Sequence, residues 1–308
     1  MKTNSFSQAE VRAYAEQHPA FQELLARFSK LLCAQREMTE QLRDVLQDVD
    51  PLSGETLSAG EPLCMNIRPA LLLEAFRRSA RTLWPTVVQE FPVLQPAFTK
   101  ITEKLADDSW CMDCLHASVR GEIERLENAA KQADVAPETL LFALRVAYAP
   151  CITALRPRLT DQPSVTLWRK SFCPICGADP DLGTLELHAD EGSFVVAKSG
   201  QAWLHCPQCE HHWRFTRVLC PSCGNKENDQ LHRLHLPEIP HEFVYACDAC
   251  NHYLPFLDLT ALPEGTAEPD LYFAALKLIH LDAVAQEKGY EPLSPAPWTV
   301  FGFAEKSE

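Results

Sequence analysis

Cys173-Pro174-Ile175-Cys176-Gly177, Cys206-Pro207-Gln208-Cys209, Cys220-Pro221-Ser222-Cys223-Gly224 and Cys247-Asp248-Ala249-Cys250 are four C-x-x-C stretches within 78 residues. A tight C-x-x-C turn presents two sulfurs on one side of the chain, half of a tetrahedral metal site. The chain carries 13 cysteines and a fifth such pair, Cys111/Cys114. Random placement would give on the order of half of one pair, so the pattern is of the metal-binding type. A redox dithiol usually occurs singly, at the strand-to-helix junction of a thioredoxin-like sheet, which four knuckles so close together do not resemble.

Prolines and glycines tell which knuckles correspond. Cys173–Gly177 and Cys220–Gly224 share the form C-P-x-C-G, where glycine accepts a positive φ after the second ligand without steric cost. Cys206/Cys209 and Cys247/Cys250 lack that glycine and run instead into His211 and His252, followed by Trp213 and Tyr253. The order A, B, A, B is an internal duplication, with corresponding cysteines 41 to 47 residues apart. It favours sequential sites: Cys173, Cys176, Cys206 and Cys209 for one metal, Cys220, Cys223, Cys247 and Cys250 for the other. A cross-braced pairing of Cys173/Cys176 with Cys220/Cys223 also satisfies the spacing.

Outward from the knuckles the grammar changes. Residues 1 to about 165 read as an all-α domain. Ser7-Gln8-Ala9-Glu10 has capping-box spacing. Phe21, Leu24, Leu25, Phe28, Leu31 and Leu32 recur with helical period, extendable through Leu42 and Val45. Pro51 and Gly54 mark a loop to about residue 62, and a second periodic segment runs from Pro69 to Pro85. Further helices are expected over 86–90, 96–106, 112–132 and 137–154. In this setting Cys111/Cys114, Cys33, Cys64 and Cys151 read as core cysteines. Short alternations such as Phe194-Val195-Val196 suit brief strands around the knuckles. After a Pro263–Pro269 loop, Leu271–Gln286 reads as an amphipathic helix. The expected architecture is thus multidomain α+β. A helical domain (1–165) precedes two rubredoxin-like or zinc-ribbon-like four-cysteine modules (166–213 and 214–262), then a C-terminal helix and tail (263–308).

Composition narrows the function. A formal charge of −14, with 11 acidic against 5 basic side chains over residues 173–250, is the wrong balance for a nucleic-acid surface. No run of 18 apolar residues and no apolar leader is present, so the expectation is a cytoplasmic protein without membrane insertion. Histidines crowd the same region: His188, His205, His211, His212, His232, His235, His241 and His252. With eight thiolates at hand they read as hydrogen-bond donors to sulfur or as surface residues. No acid–base pair, nucleophile constellation or glycine-rich phosphate loop emerges, so catalytic residues are expected to be none. Four thiolates around each of two metal ions suit zinc or single iron, and spacing does not separate them.

Cys173-Pro-Ile-Cys-Gly, Leu204-His205-Cys206 with Cys209 and Trp213, and Val218-Leu219-Cys220 with Cys223 resemble the formate dehydrogenase accessory protein family, FdhE. So do Cys247 and Cys250 with Tyr253-Leu254, and Leu281-Asp282 before Gly289-Tyr290. The likeness is specific from about 165 to 303. Over the helices it rests on length, helicity and stretches such as Arg27–Leu32. It implies a cytoplasmic maturation factor that binds the catalytic subunit of respiratory formate dehydrogenase before export. It also implies rubredoxin-like sites holding iron on the eight cysteines. The competing readings are a rubredoxin-like electron carrier and, behind it, a zinc-ribbon nucleic-acid module. Oligomeric state is not legible.

Overall fold

The computed structural model describes residues 14–297 apart from 17, 48, 50–54, 162, 188–199, 263–265, 267 and 268. The capping box at Ser7–Glu10, the turn residues Pro51 and Gly54, His188 and Phe194–Val196 lie outside the described residues. The chain divides into two compact units. One is formed by residues 26–165 with 174–177, the other by residues 1–25, 166–173 and 178–308.

The first unit is helical. Its elements are α1 (Gln22–Arg43, which begins in the other unit), α2 (Glu55–Ala59), α3 (Leu73–Glu90), α4 (Gln95–Glu103), α5 (Asp108–Arg120), α6 (Ile123–Gln132) and α7 (Pro137–Leu159). Helix α7 is the axle. Leu140, Leu144, Ala147, Cys151, Ile152 and Leu155 are buried along it, and α3 brings Phe76, Leu83, Trp84 and Val87 against it. The Trp84 indole N–H donates to the Ala143 carbonyl at 2.9 Å, so the largest core side chain leaves no orphaned donor. Helix α7 is long and apolar enough to cross a membrane, but 78% of its most apolar window is buried, as in a core helix.

Several boundaries depart from the periodicity. Helix α3 continues through Pro85, expected as a stop, and α7 runs on through Pro157, beyond the expected end at 154. Pro85 and Arg81, whose carbonyl the proline ring leaves unbonded, are both exposed, so water can satisfy that group. Conversely the expected helix 112–132 is two helices, because Gly121 at φ 67° ends α5 in the left-handed conformation. Val45 is 40% exposed and lies past the end of α1, outside the apolar stripe assigned to it. Cys64, Cys111, Cys114 and Cys151 are buried, as core cysteines should be, while Cys33 is half-buried. Within this unit the Leu63 and Cys64 N–H groups donate to the carbonyls of Pro174 and Ile175 at 2.9 and 2.8 Å.

The second unit is built on one sheet. After the single turn α8 (Pro163–Thr166) come β1 (Leu182–Glu186), β2 (Gln201–His205), β3 (His212–Phe215), β4 (Leu231–Leu234), β5 (Glu242–Cys247) and β6 (His252–Asp258). Then follow α9 (Leu271–Lys277), α10 (Ile279–Glu287) and β7 (Glu291–Pro292). The order is β3-β2-β1-β6-β5-β4, with β7 beside β6. Each cysteine module contributes an antiparallel three-stranded meander, and parallel pairing of β1 with β6 fuses the two into one sheet. Segments 166–213 and 214–262 therefore share a sheet. Gly183 makes the seam possible: it faces Phe256, and a Cβ there would lie 2.2–2.6 Å from the Phe256 ring. Leu182, Val244, Ala246 and Tyr253 pack with Ala274, Leu278, Leu281 and Ala285 of the C-terminal segment. The single helix expected there breaks at Leu278.

Candidate metal centres

Each knuckle is a local device. The N–H groups of Glu210, Gly224 and Asn251 donate to the carbonyls of Cys206, Cys220 and Cys247 at 2.8–3.0 Å. The residue after the second cysteine is left-handed in all four: Gly177 (φ 80°), Glu210 (φ 55°), Gly224 (φ 75°) and Asn251 (φ 57°). The backbone demand is common to both knuckle types, but only two of them meet it with glycine. In the two hairpin turns, β2–β3 and β5–β6, the strands hold the turn and a side chain is tolerated there.

The structure groups the sulfurs sequentially. Cys173, Cys176, Cys206 and Cys209 form one cluster and Cys220, Cys223, Cys247 and Cys250 the other, with all ligand atoms of a cluster within 4.8 Å of one another. Metal–sulfur bonds of about 2.3 Å place tetrahedral sulfurs about 3.8 Å apart. The separations are 3.5 Å for Cys173–Cys209, 3.7 Å for Cys220–Cys250 and 3.8 Å for Cys223–Cys247. Both cages therefore fit a single tetrahedral ion. The fifth pair, Cys111/Cys114, is not part of either cluster.

The surroundings differ. In the first cluster Cys173, Cys206 and Cys209 are buried and Cys176 partly so; in the second Cys223 is exposed and Cys250 half-buried. Trp213, buried beside the first cluster, donates its indole N–H to the Lys170 carbonyl at 3.0 Å. In the second, backbone N–H groups are aimed at sulfur: Ser222 and Cys223 at Cys220, Ala249 and Cys250 at Cys247, and His252 at Cys250. At Cys247 burial works to raise the thiol, but the Asn225 amide (Nδ2 to Sγ 3.8 Å) and the Ala249 and Cys250 N–H groups, with Cys220, outweigh it and hold it below its ordinary value. At Cys220 and Cys250 burial prevails and raises the thiol. Donors directed at sulfur favour the thiolate, the form that binds metal.

Four of the histidine side chains take partners other than sulfur. His205 pairs with Asp181 at 2.9 Å, His212 with Thr184 at 3.1 Å and His232 with Asp248 at 2.7 Å, while His252 bonds the Cys250 carbonyl at 2.7 Å. Asn225 and Asp181 carry no motif that would have marked them; Asn225 sits only two residues past a ligand. A four-sulfur cage has no open coordination position. It can fix structure or, with iron, pass one electron.

No family model matches the chain. It is similar to the FdhE homolog of Aquifex aeolicus, 23% identical over 293 residues, covering 94% of this chain and 93% of that protein. It is also similar to FdhE of Escherichia coli O1:K1, 28% identical over 138 residues, 44% of this chain and 40% of that protein. In fold it matches the crystal structure of the FdhE protein from Pseudomonas aeruginosa with a TM-score of 0.61 at 20% identity, over 93% and 92% of the two chains.

Proposed function

We propose that this chain, which belongs with the FdhE proteins in sequence and in fold, is a non-enzymatic accessory factor for respiratory formate dehydrogenase. It binds the enzyme's catalytic subunit in the cytoplasm before export, and its eight clustered cysteines hold two metal ions, iron in preference to zinc. The observation that carries the reading is the pair of tetrahedral sulfur cages in a chain that follows an FdhE homolog over 94% of its length. Iron bound there would supply one-electron chemistry. The chain's own contribution is to hold eight thiolates in place and to present the surface that surrounds them.

Two experiments test this. Cells lacking the gene should lose formate dehydrogenase activity, and the purified, metal-loaded protein should form a complex with the catalytic subunit. Full activity in the deletion strain together with no complex would end the proposal. A second reading, electron transfer through the second site, draws on the exposure of Cys223. Reversible reduction, with rapid exchange to a soluble donor that Cys247→Ser abolishes, would favour it.

A further inference from the structure

The two cages are built from repeated segments, so a residue that differs at a matched position can make the sites differ. In both modules the N–H of the first cysteine closes its knuckle on the carbonyl five residues on: Cys173 on Ala178 and Cys220 on Asn225, at 2.9 Å each. Ala178 brings only a methyl group to that position, whereas Asn225 brings an amide. The amide is fixed in orientation. Its Oδ1 accepts the Glu227 N–H at 3.1 Å, and its Nδ2 donates to Gln230 Oε1 at 3.1 Å and to Cys247 Sγ at 3.8 Å. The Gln230 carbonyl in turn accepts the N–H of Asp248, the neighbour of that ligand, at 2.9 Å. Asn225 therefore holds the Cys220 knuckle with its carbonyl and directs a side-chain hydrogen at a sulfur of the facing knuckle.

We propose that Asn225 sets the second cage apart as the more easily reduced of the two iron sites. The inference rests on the iron reading above. Ferric iron on four thiolates carries a net charge of −1 and ferrous iron −2. Reduction thus takes one electron from a one-electron donor, moves no proton and adds one unit of negative charge. A hydrogen directed at sulfur stabilises the more negative state more strongly and raises the potential. Solvent acts in the same direction: Cys223 is exposed and Cys250 half-buried, whereas Cys173, Cys206 and Cys209 are buried.

The test is an anaerobic spectroelectrochemical titration of the full chain reconstituted with ferrous iron, using dithionite and redox mediators, with iron measured on every sample. Wild type should hold two irons and show two one-electron waves. Cys206→Ser, which dismantles the first cage, should keep the higher wave. In Asn225→Ser the hydroxyl can still accept the Glu227 N–H but falls short of the sulfur. That variant should lower the higher wave threefold to tenfold in its reduction equilibrium, up to about 59 mV for one electron. Asn225→Asp, of the same shape but with a carboxylate facing Cys247, should lower it further. In both variants two irons should be retained and the other wave should stay in place. The inference is overturned if Cys206→Ser keeps the lower wave, or if neither Asn225 variant shifts the higher one. It is equally overturned if both waves move together, or if both variants simply lose the second iron, which is what a purely structural residue would do. Failure of the wild type to take up iron removes the iron reading and the inference with it, so the two failures read differently.

Discussion

Replacing Glu242 by glutamine should remove a pH dependence built into the sheet unit. The Glu242 side chain, 15% exposed at the start of β5, approaches His280 Nε2 with Oε2 at 3.3 Å, but neither atom forms an aligned hydrogen bond. His280 Nδ1 in turn lies 2.9 Å from the Tyr14 hydroxyl, which donates to the Lys277 carbonyl, and the His18 ring stacks on His280. Burial pushes Glu242 from 4.5 up to about 7 against the pull of Lys277, while burial holds His280 below its usual value. A carboxylic acid beside a neutral imidazole is the consistent state of this pair at mildly acidic pH. Because the folded pKa is raised, the native state binds the proton more tightly than the unfolded chain. Stability therefore falls as pH rises from 4.5 towards 7 and levels above that. The full shift corresponds to about 3 kcal/mol, of which about 2.5 kcal/mol develops between pH 5 and pH 8. Glu242→Gln keeps shape and loses the titration. Urea unfolding of the two metal-loaded proteins should show the variant gaining about 2.5 kcal/mol on wild type between pH 5 and pH 8. Proton release from the thiolate sites is common to both proteins and cancels in the difference. A difference independent of pH, or one that grows towards acid, refutes the reasoning.

Three further outcomes follow from the same geometry. Gly183→Ala should destabilise the sheet unit by about 1–3 kcal/mol through its clash with the Phe256 ring; urea midpoints of Gly183→Ala alone and with Phe256→Leu should show partial rescue. Val218 is a β-branched residue at φ 58°, so Val218→Gly should raise stability by about 1 kcal/mol in the same assay, and a loss would count against strain there. A chelator should strip the metals in two phases, the second site first because Cys223 is exposed; Cys220→Ser should abolish the fast phase only.

The sulfur cages were legible because their chemistry is local. A knuckle needs two cysteines three apart and a left-handed residue after them, and duplication pointed to the pairing. Glu210 and Asn251 show where that reading thins, since the conformation persists without the glycine that announces it. The β1–β6 seam was not legible, because its signal is Gly183 against Phe256, 73 residues apart and unremarkable in either local context. Nor was the placement of Tyr14 beside His280, a contact across 266 residues between two ordinary helical segments. Pro85 does not end its helix, and Pro157 lies inside a helix expected to stop at 154: packing of α3 on α7 outweighs the loss of a hydrogen bond per proline.

The account stands most directly on metal content. Elemental analysis of protein purified without oxygen should find two equivalents in the wild type and one in Cys206→Ser. One should remain in the double variant Cys173→Ser/Cys206→Ser, since sequential pairing puts both changes in one cage. Two metals retained by Cys206→Ser, or none left in the double variant as cross-bracing requires, would contradict it.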